Sequence, residues 1–507
     1  MTKTLRASLA AALILTLSVT GAEAGRRHKP VPKPRSGEGE TIVVTGYRAE
    51  QALPASVRAV WTQYGPGGVL EARAVMAGKA CPMLALDLKQ RPMQVRAAAA
   101  DKFSTLCFAV VPNGTKQAAL AFASINLHSP YPAGASPAEQ QKWMAEEYGL
   151  SPDANPFDGE TQAIVRDKVE ERTSYTLIPL PIPVVDPQRI VVFGDTGCRI
   201  KGKALQDCSN PEAWPFPRIA AEAAKLKPDL VIHVGDYLYR ENACPADVKG
   251  CQGTPFGDNW PTWDADFFAP AKPLLAVAPW VIVRGNHEDC SRAGPGFLRL
   301  LGPTAFDPKA ACADHLSPYS IPFAALNLVV ADNADAPELS VVETSVPVYR
   351  AEIASLANEK APTWWLLHRP IWGTKSGLLG IPVGGNLTMM AAVSPTGIPA
   401  PVELMLSGHI HSFQAINYDP ENHVPPQIVA GFGGDRLDPT PTSLRGAIFQ
   451  GSSGVHVRDG LSIGGFGFVL MTRAEDGWRL DVYDAHGRIE RVCQFHNAEL
   501  DCPRAKH

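Results

Sequence analysis

The chain has 507 residues, 45% hydrophobic and 19% charged, which is enough apolar material for a large buried core and excludes a wholly disordered or fibrous protein. Its 47 Lys and Arg against 51 Asp and Glu give a formal net charge of −4, so no nucleic-acid surface is evident. The 46 Pro and 43 Gly are many for a helical protein and point to a loop-rich α/β or β architecture.

Residues 1–24 begin with Lys3 and Arg6, continue through an apolar run at 7–19 and end in Ala22-Glu23-Ala24. This reads as a secretory signal peptide cleaved after Ala24. The apolar run is shorter than the roughly 20 residues of a membrane helix, and no later segment predicts a span. The ten cysteines fit an exported chain, periplasmic or secreted, because disulfides persist in an oxidising compartment. They fall into sequence-local pairs, Cys81 with Cys107, Cys198 with Cys208, Cys244 with Cys251, Cys290 with Cys312, and Cys493 with Cys502. Neighbour pairing is the expected connectivity, and the absence of any CxxC argues against zinc-finger use.

Residues 25–40 form a basic, Pro- and Gly-containing linker, and TIVVTGY at 41–47 predicts a short strand. Short β-prone runs follow at 84–88, 93–97, 106–111 and 118–125, with a helix expected over 137–148 and a Pro-rich segment at 177–187. Residues 41–187 therefore read as a mainly β accessory domain. From 188 the texture becomes strand, loop and helix in alternation, the mark of an α/β layered domain over 188–490. Strands are expected at 189–193, 229–234, 280–283, 326–331, 364–367, 402–406, 412–418 and 427–430, and helices at 217–227, 263–275 and 349–358. A hairpin of 466–472 and 478–483 closes the domain, and 491–507 reads as a C-terminal tail.

Several of these strands run into polar clusters: Gly194-Asp195-Thr196-Gly197, Gly235-Asp236-Tyr237-Leu238-Tyr239, Gly285-Asn286-His287-Glu288, His368, and Gly408-His409-Ile410-His411. Each alone reads as a turn, a surface loop or a strand-end histidine. Their shared position carries the signal, because α/β sheets build sites at the carboxyl ends of strands. Carboxylates, a carboxamide, a phenol and imidazoles ligate hard or borderline metals without cysteine, and two cations sharing one carboxylate suit displacement at phosphorus. His233 reads as a core histidine, His315 and Asp332 as structural, and Trp260, Trp263, Phe267 and Phe268 as core packing.

The set resembles the calcineurin-like metallophosphoesterases, and within them the purple acid phosphatases, whose pattern is DxG, GDxxY, GNH(D/E), VxxH and GHxH. The matches are Asp195 with Gly197, Asp236 with Tyr239, Asn286-His287-Glu288, His368, and His409 with His411; Trp365 stands where the fourth motif usually has Val. The resemblance implies a four-layer α-β-β-α sandwich. It implies that Asp195, Tyr239 and His411 bind Fe(III), and that Asp236 bridges to a divalent ion (Fe, Zn or Mn) held also by Asn286, His368 and His409. Tyr237 is a competing phenol, and alternation along the chain does not settle which of the two turns inward. The implied reaction is hydrolysis of a small phosphomonoester by a metal-bound hydroxide. His287 would face the substrate, Glu288 would orient that imidazole, and Arg369 is a candidate phosphate contact. Phosphodiester or phosphotriester hydrolysis is the same-fold alternative, and a non-catalytic binding protein is disfavoured by the intact ligand set. No sequence feature names a protein partner.

Overall fold

The computed structural model describes residues 53–87, 89–125, 173–360, 362–394, 396–449 and 454–503, with Ser136, Glu139, Lys142 and Glu146. The expected signal peptide, the linker, the 41–47 strand and most of the 137–148 helix lie outside the described residues. The chain divides into two units, the smaller drawing its described residues from 82–91 and 119–179. That unit is a four-stranded sheet in the order Lys89–Pro92, Met83–Leu86, Ala118–Ile125, Thr173–Leu180, with a small core of Ala85, Ala121 and Leu177.

The larger unit is built on two large sheets, with a two-stranded and a three-stranded one beside them. The first has eleven strands in the order Glu499–Asp501, Ile489–His496, Gly477–Asp484, Gly467–Ala474, Arg189–Phe193, Leu230–His233, Trp280–Ile282, Val57–Tyr64, Leu70–Met76, Thr105–Val111, Gln94–Ala97. Its centre is parallel, Leu230 pairing with Ile190 and Val231 with Trp280. The second has seven strands in the order Tyr319–Pro322, Asn327–Val330, Thr363–Leu366, Val402–Ser407, Gln427–Ala430, Phe413–Tyr418, Val457–Ile463.

Strand alternation sorts these side chains into layers. Val191, Phe193 and Val231 pack into one core with Phe216 and Ile219 of helix Phe216–Lys225 and Leu274 of helix Ala269–Leu275. Val329, Trp365 and Met405 pack into another with Ile353 of helix Val346–Ser355 and Met389 of helix Leu387–Val393. The residue after Trp364 thus faces helices, which is what its unusual motif position does. Trp364 itself points the other way, 5.0 Å from Trp478 and 6.3 Å from Phe495 of the first sheet. The expected α-β-β-α sandwich is the arrangement found, with its two helical cores on the outer faces and an aromatic seam between the sheets.

Two expected boundaries differ. Residues 41–187 do not make one β domain, because four of their strands extend the eleven-stranded sheet, with Gln63 pairing in parallel with Trp280. The reason is chemical as well as geometric. Gln63 donates to Leu301 O at 2.9 Å, Arg73 to Leu300 O at 2.8 Å and Gly302 O at 2.9 Å, and Arg96 to Gly302 O at 2.8 Å. These three buried side chains satisfy carbonyls at the C-terminal end of helix Gly294–Leu300, which would otherwise lack donors. Nor is 491–507 a tail: strands Ile489–His496 and Glu499–Asp501 form the sheet edge, pinned by Cys493–Cys502. All five cysteine pairs are joined as sequence neighbours: Cys81–Cys107, Cys198–Cys208, Cys244–Cys251, Cys290–Cys312 and Cys493–Cys502. Five disulfides fit an exported protein. No helix among the described residues is long and apolar enough to cross a membrane.

Candidate functional site

Asp195, Asp236 and His409 each follow a glycine at the end of a strand, and each has a left-handed backbone, with φ of 57°, 60° and 68°. Non-glycine residues reach this region at a cost, which clusters where side chains must be aimed. The turns interlock. Asp195 N donates to Gly235 O at 2.9 Å, Thr196 N to Asp236 O at 3.1 Å, and Gly408 N to His368 O at 2.9 Å. Gly285 is required by close approach, since a Cβ there would collide with Asp236 Oδ1.

The side chains from these turns converge on Asp236. On one side the Tyr239 hydroxyl lies 2.8 Å from Asp236 Oδ2, 2.9 Å from Asp195 Oδ1 and 3.1 Å from His411 Nε2. On the other, His368 Nε2 lies 3.2 Å from Asp236 Oδ2 and 3.1 Å from Asn286 Oδ1. Asp236, His368 and His409 offer ligand atoms within 4.8 Å of one another, a group able to hold a metal ion.

The hydrogen bonds around the two inner histidines test that fit. His368 Nδ1 donates to Val234 O at 2.8 Å, and His411 Nδ1 donates to Arg436 O at 2.7 Å. With Nδ1 carrying the proton, each Nε2 presents a lone pair to carboxylate oxygens, and His411 Nε2 lies 3.2 Å from Asp195 Oδ1. Lone pairs that face one another in a buried site call for a cation between them. Without a metal ion a proton fills the role: burial pulls both imidazoles down, but Asp236 raises His368 to about 9, and Asp435 with Asp195 raises His411 to about 9. Burial, Asp195 and Asp236 likewise hold the Tyr239 phenol well above its ordinary pKa. The arrangement suits a strongly polarising cation.

The competition between phenols is resolved. Tyr237 turns away, donating to Val283 O at 2.9 Å and stacking 4.0 Å from His233. His233 is held by Thr196 Oγ1 at 3.0 Å in the core, with its pKa lowered by burial. Tyr239 faces the site because its backbone is anchored by buried Asp266, which accepts from Tyr239 N at 2.8 Å and Arg240 N at 3.0 Å. Asp266 lies in a π-helical turn, Asp264–Phe268, inserted in the helical segment that also packs Trp260, Trp263, Phe267 and Phe268 into the core.

His287 lines the cleft, with Nε2 3.9 Å from Asp236 Oδ2 and its ring 3.8 Å from that of Tyr239. Its orienting partner is not Glu288, contrary to expectation. Glu288 Oε1 accepts from Tyr237 N at 2.9 Å and Leu238 N at 3.1 Å, tying down the loop behind Asp236, and burial raises its carboxyl to about 8. The imidazole is held instead by Glu241, 2.8 Å from Nδ1, while Arg292 Nη2 lies 2.9 Å from each ring nitrogen. Burial opposes ionisation of Glu241, but His287 and Arg292 hold its pKa down at about 2. Arg369 also departs from its expected place, donating through Nε to Ala334 O at 3.0 Å rather than lining the cleft. His315 pairs with Glu352 at 2.7 Å and Asp332 with Arg284 at 3.1 Å, both structural as expected.

Sequence reading missed Glu241, Arg292, Glu338 and Asp435. Glu338 holds His409 Nε2 at 2.8 Å; Asp435 lies 3.3 Å from His411 Nδ1 and accepts from Arg199 Nε at 2.9 Å. Gly431-Phe432-Gly433-Gly434-Asp435 follows strand Gln427–Ala430 and repeats the strand, glycine, aspartate signature of the other clusters, a signal that was available. The cleft has a volume of about 360 Å³ and is lined by Asp236, Tyr239, Asn286, His287, His409 and His411, with Arg199, Lys375 and Arg436 supplying positive charge.

Residues 188–413 match the family of calcineurin-like phosphoesterases. The fold is similar to that of the purple acid phosphatase PPD1 from seeds of yellow lupin (Lupinus luteus), at 13% identity and a TM-score of 0.50, covering 86% of this chain and 73% of that one. The structure of PhoD is similar at 10% identity and a TM-score of 0.45, covering 90% of this chain and 94% of that one. No curated protein matches the chain. The segment is that of a calcineurin-like phosphoesterase, and the chain is a hydrolase acting on phosphoester bonds.

Proposed function

We propose that this calcineurin-like phosphoesterase is an exported phosphomonoesterase, periplasmic or secreted, that would work with two metal cations held by the residues gathered at Asp236. Asp195, Tyr239 and His411 would hold Fe(III), and Asn286, His368 and His409 a divalent ion, Fe, Zn or Mn, with Asp236 shared. The observation that carries this reading is the pair of imidazoles whose Nδ1 protons are committed to backbone carbonyls, leaving both Nε2 lone pairs aimed at carboxylates. A cation pair supplies Lewis acidity towards phosphoryl oxygens and acidifies water.

The remaining roles belong to the chain. Arg436, exposed at the cleft and without an acidic partner among the described residues, is placed to meet an anionic monoester, while Arg199 and Lys375 line the same cleft paired with Asp435 and Asp438. His287 lines the cleft and is placed to give a proton to the leaving oxygen, its Nδ1 held by Glu241. Glu288 and Asp266 hold the loop that presents Asp236 and Tyr239, so the two sides of the site keep their spacing.

The test is a visible absorption spectrum and metal analysis of the purified protein and of Tyr239→Phe, with rates on p-nitrophenyl phosphate and bis(p-nitrophenyl) phosphate. A broad visible band that is lost in the variant, with faster turnover of the monoester, is the expected result. A colourless protein with two divalent ions, an unaffected Tyr239→Phe variant and faster diester turnover would replace this reading with a phosphodiesterase.

A further inference from the structure

Beside the cleft, strand Thr374–Ser376 pairs with Pro382–Gly384 to form a hairpin, which is extended in parallel by Ile448–Phe449. Its base is fixed. Thr374 O accepts from Gln414 Nε2 at 2.6 Å, Ser376 N donates to Pro439 O at 2.8 Å, and Lys375 and Pro439 line the cleft. Its tip is apolar and bare, with Leu378 85%, Leu379 90% and Ile381 42% exposed, and Ile448, beside Val383 on the flanking strand, is 55% exposed. Leu379 also sits in the left-handed region, φ 61°, where glycine or asparagine is at home. Neither solvation nor backbone preference accounts for two leucines there.

We propose that this tip docks into a lipid surface carrying anionic headgroups, which brings the mouth of the cleft against that surface. Two observations favour lipid over a second copy of the chain. First, the apolar surface amounts to four side chains, against the roughly 20–30 residues a side of a stable protein interface. A shallow apolar insertion helped by charge is sufficient for reversible membrane binding. Second, the flanking charge is positive. Arg436 at the cleft rim and Arg445, three residues before Ile448, are exposed and have no acidic partner among the described residues, and Lys375 is 40% exposed beside Asp438. Basic side chains at this position are drawn to anionic headgroups. The inference rests on surface chemistry alone and is independent of the metal ions.

The experiment is co-sedimentation of the full mature protein with vesicles of phosphatidylcholine alone, or of three parts phosphatidylcholine to one part phosphatidylglycerol. The wild type should sediment with the anionic vesicles and do so less as salt is raised. Leu378→Ser with Leu379→Ser should lower its partition by about tenfold or more, since two leucines leave the apolar phase, while turnover of p-nitrophenyl phosphate stays unchanged. Arg445→Gln should weaken binding to the anionic vesicles and leave the neutral ones unaffected. A wild type that stays in solution with both vesicles at low salt would overturn the proposal, as would a double serine variant that binds equally well. A dimer that is lost in the double serine variant would assign the tip to a second copy of the chain instead.

Discussion

Glu241→Gln isolates what holds the cleft histidine. Glu241 lies 2.8 Å from His287 Nδ1 and also pairs with Arg292, which itself lies 2.9 Å from the imidazole. Glutamine keeps the volume and removes the charge. A hydrogen bond to a charged group is worth about 1.5–3 kcal/mol. The same change leaves Arg292 facing the imidazole without its counter-charge, which disfavours the protonated ring. Taking about 2 kcal/mol for the sum, kcat/KM should fall by about 30-fold. His287→Ala should cost about 10²–10⁴-fold by itself. In that background Glu241→Gln should add less than about twofold, because its partner has gone. Steady-state kinetics on p-nitrophenyl phosphate with metal analysis of all four proteins completes the cycle. Bound metal should not change, since among the described residues the Glu241 carboxylate pairs with Lys201, His287 and Arg292 and not with Asp195, Tyr239, Asn286, His368, His409 or His411. A loss of metal in step with activity, or an undiminished Glu241→Gln effect without His287, would refute the reasoning.

Asp236→Asn should reduce bound metal to less than half the wild-type content, measured by elemental analysis; asparagine tolerates the left-handed backbone at this position, so the fold should survive. Arg73→Met takes the donor from Leu300 O and the counter-charge from Glu71, while Gly302 O keeps Arg96, and should cost about 3–5 kcal/mol. Over the roughly 400 residues of the larger unit, at about 2 cal/mol/K per residue, that is about 4–6 °C in a thermal melt. A shift below about 1 °C would show that strand Leu70–Met76 is not needed to finish the helix end. Asp335 and Glu352 raise His315 to about 10. The stabilisation from the charged imidazole is therefore complete below its unfolded pKa of about 6.5 and is lost as pH rises through about 10. The melting difference between wild type and His315→Gln should be largest in mild acid and close towards pH 10, and a difference that grew with pH would contradict this.

What the sequence alone determined was local. Apolar runs marked most strands of the catalytic segment to within a few residues, though not Tyr319–Pro322 and Val457–Ile463 at the edges of the seven-stranded sheet, and a glycine followed by an acid, amide or imidazole marked where several of them end. The family resemblance implied seven metal ligands, Asp236 among them, and the structure brings the side chains of the other six together near it. The neighbour pairing of the ten cysteines was legible for the same reason, since short loops bring their ends together with little entropy cost. Tertiary structure decided whatever depends on contact between distant segments. Which phenol faces the site is set by Asp266, 27 residues beyond Tyr239, in a π-helical turn that no periodicity announces. The partner of His287 is Glu241 rather than the adjacent Glu288, because the turn through Asn286–Glu288 aims Glu288 at backbone amides 51 and 50 residues away. Arg199 meets Asp435 across 236 residues. The early strands from Val57 to Val111 looked like a separate domain because their burial is shared with a sheet, and a helix end, built from residues some 200 positions later. Alternation shows that a strand has a buried face, but what covers that face is set by the order of strands in the sheet.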